Sequence, residues 1–242
     1  MHFSATAFLV AISALTAGAS APTVQQFGAM KAVMRDGQTE ARVALKDVVT
    51  QPHTYAVGAL EGLGGEIAII DGAVWIARVA DDGLRVSGPE VVNTDQATML
   101  TLAHVERWTG KEVQTPLAGA ALESAIEHLA HEVGLDTTKP FPFIFEGELN
   151  SLDIHVMNGY CPVATDESTQ AKQPWRWSLE GEVPIKATIV GFHAKDAAGV
   201  MTHHGTSIHA HAVWIVDGKM QTGHVERFVV TTGALRVPQL LE

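Results

Sequence analysis

"SIHAHAVWIVDGKMQTGHV", residues Ser207 to Val225, decides how the rest of the chain is read, and it carries three of the twelve histidines. An apolar stretch, Ala212 to Val216, leads into Asp217-Gly218, a dipeptide favoured in two-residue type I′ hairpin turns. With that turn, Val216 faces Lys219, Trp214 faces Gln221, and His211 falls directly opposite His224. Opposed residues of an antiparallel pair share a face, with Cβ atoms about 4.5–5.5 Å apart. His209 lies two residues before His211, so strand alternation puts it on the same face. The register therefore predicts that His209, His211 and His224 converge.

Three neutral imidazoles at that spacing suit a divalent transition metal, Zn²⁺ first, and leave a fourth position free as catalytic zinc requires. The same register puts Glu226 opposite His209, as a partner fixing an imidazole tautomer or as a further ligand. The alternative is a polar strand face that merely holds several histidines. His203 and His204, in a glycine-flanked loop just upstream, are expected to be loop residues rather than ligands.

A second Asp-Gly pair, Asp71-Gly72, separates "EIAII" from "AVWIARV" and predicts another hairpin. There Glu66 opposes Ala77 and shares a face with Ala68, Ile70, Ala73 and Trp75. A carboxylate on that apolar face stands either at the exposed sheet edge or buried for a purpose. Burial would raise its pKa and suit it to proton transfer near neutral pH. Gly64-Gly65 before it permits a close backbone approach or a simple turn.

Further out, "LRVSGPEVV", "ATMLTLAHVERW", "PFPFIFEGELNSLDIHVM", "VPIKATIVGFHA" and "HVERFVVTTGALRV" read as strands. One substantial helix is expected from Pro116 to Gly134, rich in Ala, Leu and Glu and closed by glycine. Gly159 to Gly181 reads as a long polar loop. The segment from Thr23 to Val49 fits short strands or a helix. The fold class is α+β, with mainly antiparallel sheets, a mixed N-terminal one and a barrel-like C-terminal one.

The chain has 242 residues, 46% hydrophobic and 18% charged, enough for one large domain or two small ones. A net charge of -11, with no run of Lys or Arg, argues against nucleic acid and anionic membrane surfaces as partners; the partner expected, from the resemblance described below, is a small-molecule substrate. Cys161, the single cysteine, excludes an intramolecular disulfide and reads as an inert buried thiol. "MHFSATAFLVAISALTAGASAP" opens the chain with a short apolar run and two small-x-small sites, the pattern of a signal peptide over residues 1–21. An exported protein of residues 22–242, with a possible subdivision near 182, is the expectation.

Three of these stretches resemble the alpha-acetolactate decarboxylase family. "VGALEGLGGEIAIIDGAVWIA" is similar to its early strand and hairpin, "KATIVGFHAKDAAGV" to its "GTIVGF" strand and following loop, and "HAHAVWIVDGKMQTGHV" to its His-x-His strand and Gly-His-Val return. The resemblance implies a zinc enzyme that converts 2-acetolactate to acetoin and tends to form a homodimer. It assigns His209, His211 and His224 as ligands and Glu66 as the early active-site glutamate.

Three departures stand out. The third histidine follows the second by two extra residues, which lengthens each hairpin strand by one and keeps the partners on one face. Where the family has an active-site arginine, this chain has His155, which lacks the bidentate fork that grips a carboxylate. Where the family has a glutamate after a Leu-Pro pair, "RVPQLLE" offers Glu242. Two other functions therefore stay open: a related lyase or isomerase acting on another hydroxy-keto acid, and a non-catalytic exported protein that binds metal or a small ligand.

Overall fold

A computed structural model describes residues 20–81, 83–90, 94–159 and 173–241. The first nineteen residues of the expected signal segment, Cys161 and Glu242 lie outside them. No described helix is long and apolar enough to cross a membrane.

Two antiparallel sheets make up the α+β fold. The first contains β1 (Gln25–Phe27), β2 (Val43–Ala44), β3 (Thr54–Leu60), β4 (Glu66–Ile70), β5 (Ala73–Ala80), β6 (Gly83–Ser87) and β7 (Gln96–His104), in the order β1-β7-β3-β4-β5-β6 with β2 also on β7. Two short helices, α1 (Met30–Met34) and α2 (Leu45–Val48), lie in its N-terminal part, so both forms expected of that segment occur.

The second sheet contains β8 (Trp108–Val113), β9 (Leu117–Ala118), β10 (Phe141–Val156), β11 (Trp175–His193), β12 (Ile208–Val216) and β13 (Lys219–Pro238). Here β10 pairs with β11, β11 with β12, β12 with β13, and β13 with β10 again, so four strands close into a ring. The chain passes from one sheet to the other between His104 and Trp108, and residue 182 lies inside β11.

Two expectations need correction. The long helix α3 is Gly119–Glu132, starting later than Pro116, because Leu117 and Ala118 pair with Val230 and Val229 of β13 first. The polar loop expected up to Gly181 is already strand from Trp175. Trp175, Trp177 and Leu179 pair with Val156, Ile154 and Leu152, while Arg176, Ser178 and Glu180 take the opposite face.

Alternation divides the cores. Ala210, Ala212 and Trp214 of β12 join Leu122, Ile126 and Leu129 of α3 in the largest apolar cluster. Val213, on the face shared by His209 and His211, packs with Val190 and Phe192 against Tyr55, Val57 and Ala68 of the first sheet. The histidine face of the ring is therefore the face that meets the other sheet. Burying such a contact is favourable by about 25 cal/mol per Å² of apolar surface.

Candidate metal centre and its carboxylates

The hairpin register is as the turn predicts. Asp217 and Gly218 both have positive φ (50° and 73°), Val216 pairs with Lys219, and His211 pairs with His224. His224 has a second partner, because β10 flanks β13 on its other side and His155 pairs with it there. Next along, His155 pairs with Arg176 of β11. His211, His224, His155 and Arg176 thus form one row across four strands on one face.

Ring centroids lie 5.3 Å apart for His211–His224, 5.1 Å for His209–His224 and 4.5 Å for His155–His224. One ring nitrogen each from His209, His211 and His224 falls within 4.8 Å of the others, and these residues are only 2%, 0% and 6% exposed. Burial holds all three far below the ordinary histidine pKa, His209 at about 3, and the neighbouring imidazoles add to the effect. They are neutral and their lone pairs are available.

Both ring nitrogens of His209 and His211 lack a hydrogen-bond partner of good geometry, although the backbone of Met201 and Ile67 approaches them. Unpaired buried polar atoms cost about 1–3 kcal/mol each, a cost that a metal ion would offset. The donor set fits zinc: three imidazoles and an open side.

Glu66 reaches the same point from the first sheet. Its register is also as expected, with Ala77 opposite, and of the two placements left open the buried one is found, at 3% exposure. Gly65 makes this possible. Its φ is +154°, and a Cβ there would lie 2.2 Å from the Ala77 carbonyl oxygen. Met157 N–H donates to Glu66 Oε1 at 3.3 Å, and Oε2 lies 3.7 Å from His211 Nε2. Burial pushes the Glu66 pKa up to about 8, against the opposing Met157 hydrogen bond. The carboxyl therefore keeps its proton at neutral pH.

Glu226 corrects an expectation. It does not face His209, because β13 leaves β12 after His224 to follow β10. Val225 pairs with Ile154 and Arg227 with Asp153, so Glu226 is the extra residue of a bulge. Its carboxylate accepts two hydrogen bonds from Arg176 Nη1 at 2.7 Å and meets His155 Nδ1 at 3.1 Å. Burial works to raise Glu226, but Arg176 and His155 outweigh it and keep the group ionised. An ionised Glu226 makes Nδ1 the protonated nitrogen of His155. Nε2 is then left with its lone pair, 4.0 Å from Glu66 Oε1. Burial lowers His155 to about 4 despite Glu226, so this ring is neutral too.

Arg176 is the residue missed at the sequence level. Among the described residues lining the cavity over the histidines it alone carries permanent positive charge. The signal was present in "WRWSLE", whose strict alternation marks a strand and puts Arg176 on the face opposite the two tryptophans. His203 sits closer than a bystander: its ring meets His224 edge-on at 5.2 Å and lines the same cavity, while His204 lies further along the loop.

No protein-family model matches the sequence, and no curated protein is similar to it by sequence. The fold has clear counterparts. Alpha-acetolactate decarboxylase from Bacillus subtilis strain 168 superposes with a TM-score of 0.68 at 16% identity, over 90% of this chain and 86% of that one. The acetolactate decarboxylase of B. subtilis subspecies spizizenii gives 0.65 at 16% identity with the same coverage. A Staphylococcus aureus protein of unknown function similar to alpha-acetolactate decarboxylase gives 0.65 at 17%, again over 90% and 86%. At this level of identity the likeness is one of architecture, and in architecture this chain has the fold of the alpha-acetolactate decarboxylases.

Proposed function

We propose that the chain is a zinc-dependent decarboxylase of a 2-hydroxy-3-keto acid, with 2-acetolactate to acetoin as the leading reaction. The observation that carries this reading is the meeting of three buried imidazoles with the buried Glu66 carboxyl, 3.7 Å from His211 Nε2, on a fold shared with acetolactate decarboxylases.

His209, His211 and His224 would hold the ion. A zinc ion held there would supply Lewis acidity to the oxygens of a bound hydroxy-keto acid. Arg176 at the rim offers the positive charge a substrate carboxylate seeks, and Glu226 fixes where that guanidinium points. As the C–C bond breaks, its electron pair stays on the substrate carbon. Glu66 gives its proton to that carbon and is reprotonated from solvent, so one proton is consumed for each CO₂ released. His155, with Nε2 facing Glu66 and Nδ1 held by Glu226, orients the acid.

Metal analysis of the purified protein, coupled to CO₂ and acetoin release from racemic acetolactate, tests the proposal. One zinc per chain with turnover supports it. Full zinc with no CO₂ from any 2-hydroxy-3-keto acid would make the chain a metal-binding protein on a decarboxylase scaffold.

A further inference from the structure

His209 stands where β12 is least supported. His211 is paired on both sides, with Val190 of β11 and with His224 of β13. Two residues earlier, His209 is paired among the described strands with Phe192 of β11 alone, because β13 has turned to follow β10. The strands part there around a cavity of about 750 Å³, lined by Ile208 and Ala210 on one side and Val225, Phe228 and Val229 on the other. The His209 ring offers no anchor of its own, since neither nitrogen has a hydrogen-bond partner of good geometry. The imidazole therefore goes where its backbone goes.

One side chain supplies what β13 withholds. Glu123 Oε1 accepts from the Thr206 hydroxyl at 2.6 Å, and Oε2 accepts from Ser207 N–H at 3.0 Å. Thr206 Oγ1 in turn accepts from Ile208 N–H at 3.1 Å, while the Ser207 carbonyl accepts from Ala194 N–H at 2.7 Å. The three residues before His209 are thus held by α3 on one side and by the end of β11 on the other. The support is firm, because Leu122, Ile126 and Leu129 seat α3 in the largest apolar cluster.

We propose that Glu123 is the positioning residue of His209, taking the place of the strand that β12 lacks there. The inference rests on the ligand assignment and adds to it a residue that touches neither metal nor substrate. Side chains that orient metal ligands from outside typically command about 10–100-fold in metal affinity.

Zinc affinity by chelator competition, and the visible spectrum of the cobalt-loaded protein, read the site without turnover. Glu123→Ala should weaken zinc about 10–100-fold and change the cobalt bands. Glu123→Gln keeps the reach and an oxygen for Ser207 N–H, so it should stay within about threefold of wild type. Glu123→Asp keeps the charge but is one methylene short, and should behave like alanine. Glu127→Gln is the control: it cuts the other tie from α3 to the same loop, Lys195 Nζ at 2.9 Å, and should move neither reading. Wild-type affinity in Glu123→Ala, a loss that follows charge rather than reach, or an equal loss in Glu127→Gln overturns the proposal. Proton–carbon NMR of the His209 ring in metal-free protein keeps the two readings apart. If the chain takes no zinc but that signal moves in Glu123→Ala and not in Glu127→Gln, the ligand set falls and the role of Glu123 stands. If His209→Ala abolishes zinc binding while Glu123→Ala binds as wild type, the role of Glu123 falls and the ligand set stands.

Discussion

Two hairpins with the same Asp-Gly turn meet at the candidate site, and they differ in how far the turn governs them. In the first, β4–β5, the register set at Asp71-Gly72 runs unbroken through five pairs to Glu66 and Ala77. In the second, the register set at Asp217-Gly218 runs six pairs to His211 and His224 and then ends. Beyond that point β13 takes its pairing from β10, and Glu226 becomes a bulge. A turn thus dictates its own ladder only until another strand competes for the same backbone groups. One hairpin carries a single buried acid and the other the candidate ligands, which suggests experiments that separate proton from metal.

The largest effects belong to the ligand hairpin. His209→Ala, His211→Ala and His224→Ala should each lower zinc from about one per chain to near zero by metal analysis. A variant that keeps full zinc would remove its histidine from the ligand set.

The acid hairpin should behave in the opposite way. Glu66→Gln keeps the side-chain shape but not the proton, so zinc should stay bound while acetoin release falls on the order of 10²–10⁴-fold. Simultaneous loss of metal would make Glu66 a ligand and erase the division of labour.

Smaller, but specific in sign, is the pH dependence of stability after chelation. Unfolded histidines accept protons below about pH 6.5, which the buried rings refuse until about 4 for His155 and 3 for His209. Stability therefore falls as pH drops below the unfolded histidine value. Glu66 works the other way: its folded pKa is raised to about 8, so its contribution is complete below the unfolded value and lost as pH climbs through 8. Several histidines outweigh one glutamate where the windows overlap. The thermal midpoint of the metal-free protein should peak near pH 6.5, and Glu66→Gln should abolish the alkaline decline. A wild-type midpoint still climbing at pH 8 would contradict this.

The smallest effect sharpens the comparison itself. Gly72 and Gly218 have φ of +80° and +73°, and a Cβ at either would touch nothing within 4 Å, so alanine there probes backbone strain alone. Each substitution should cost about 1–2 kcal/mol in urea unfolding. Only Gly218→Ala should also weaken zinc affinity.

Much of the site was legible from the two turns, because a type I′ pair names its cross-strand partners directly. Less legible was whatever depends on a third strand. The pairing of His155 with His224 needs β10 beside β13, and nothing local in "SLDIHV" announces it. Bulges are equally silent, and Glu226 lost its expected partner to one. Arg176 is different: its alternating context was readable, but the surrounding polar residues suggested a loop. The start of α3 was hidden by Leu117 and Ala118, helix-compatible residues taken up by a sheet edge.

The closed ring of β10 to β13 has a consequence for how a metal ion held by the three histidines would come and go. In small zinc modules the cation is what makes the chain fold at all. Here the imidazoles ride on strands already bonded to neighbours on both sides, so the strand pairing holds their positions without help from a metal. Chelation should leave a folded protein that refills at once when zinc returns, making the cation an exchangeable visitor rather than a rivet.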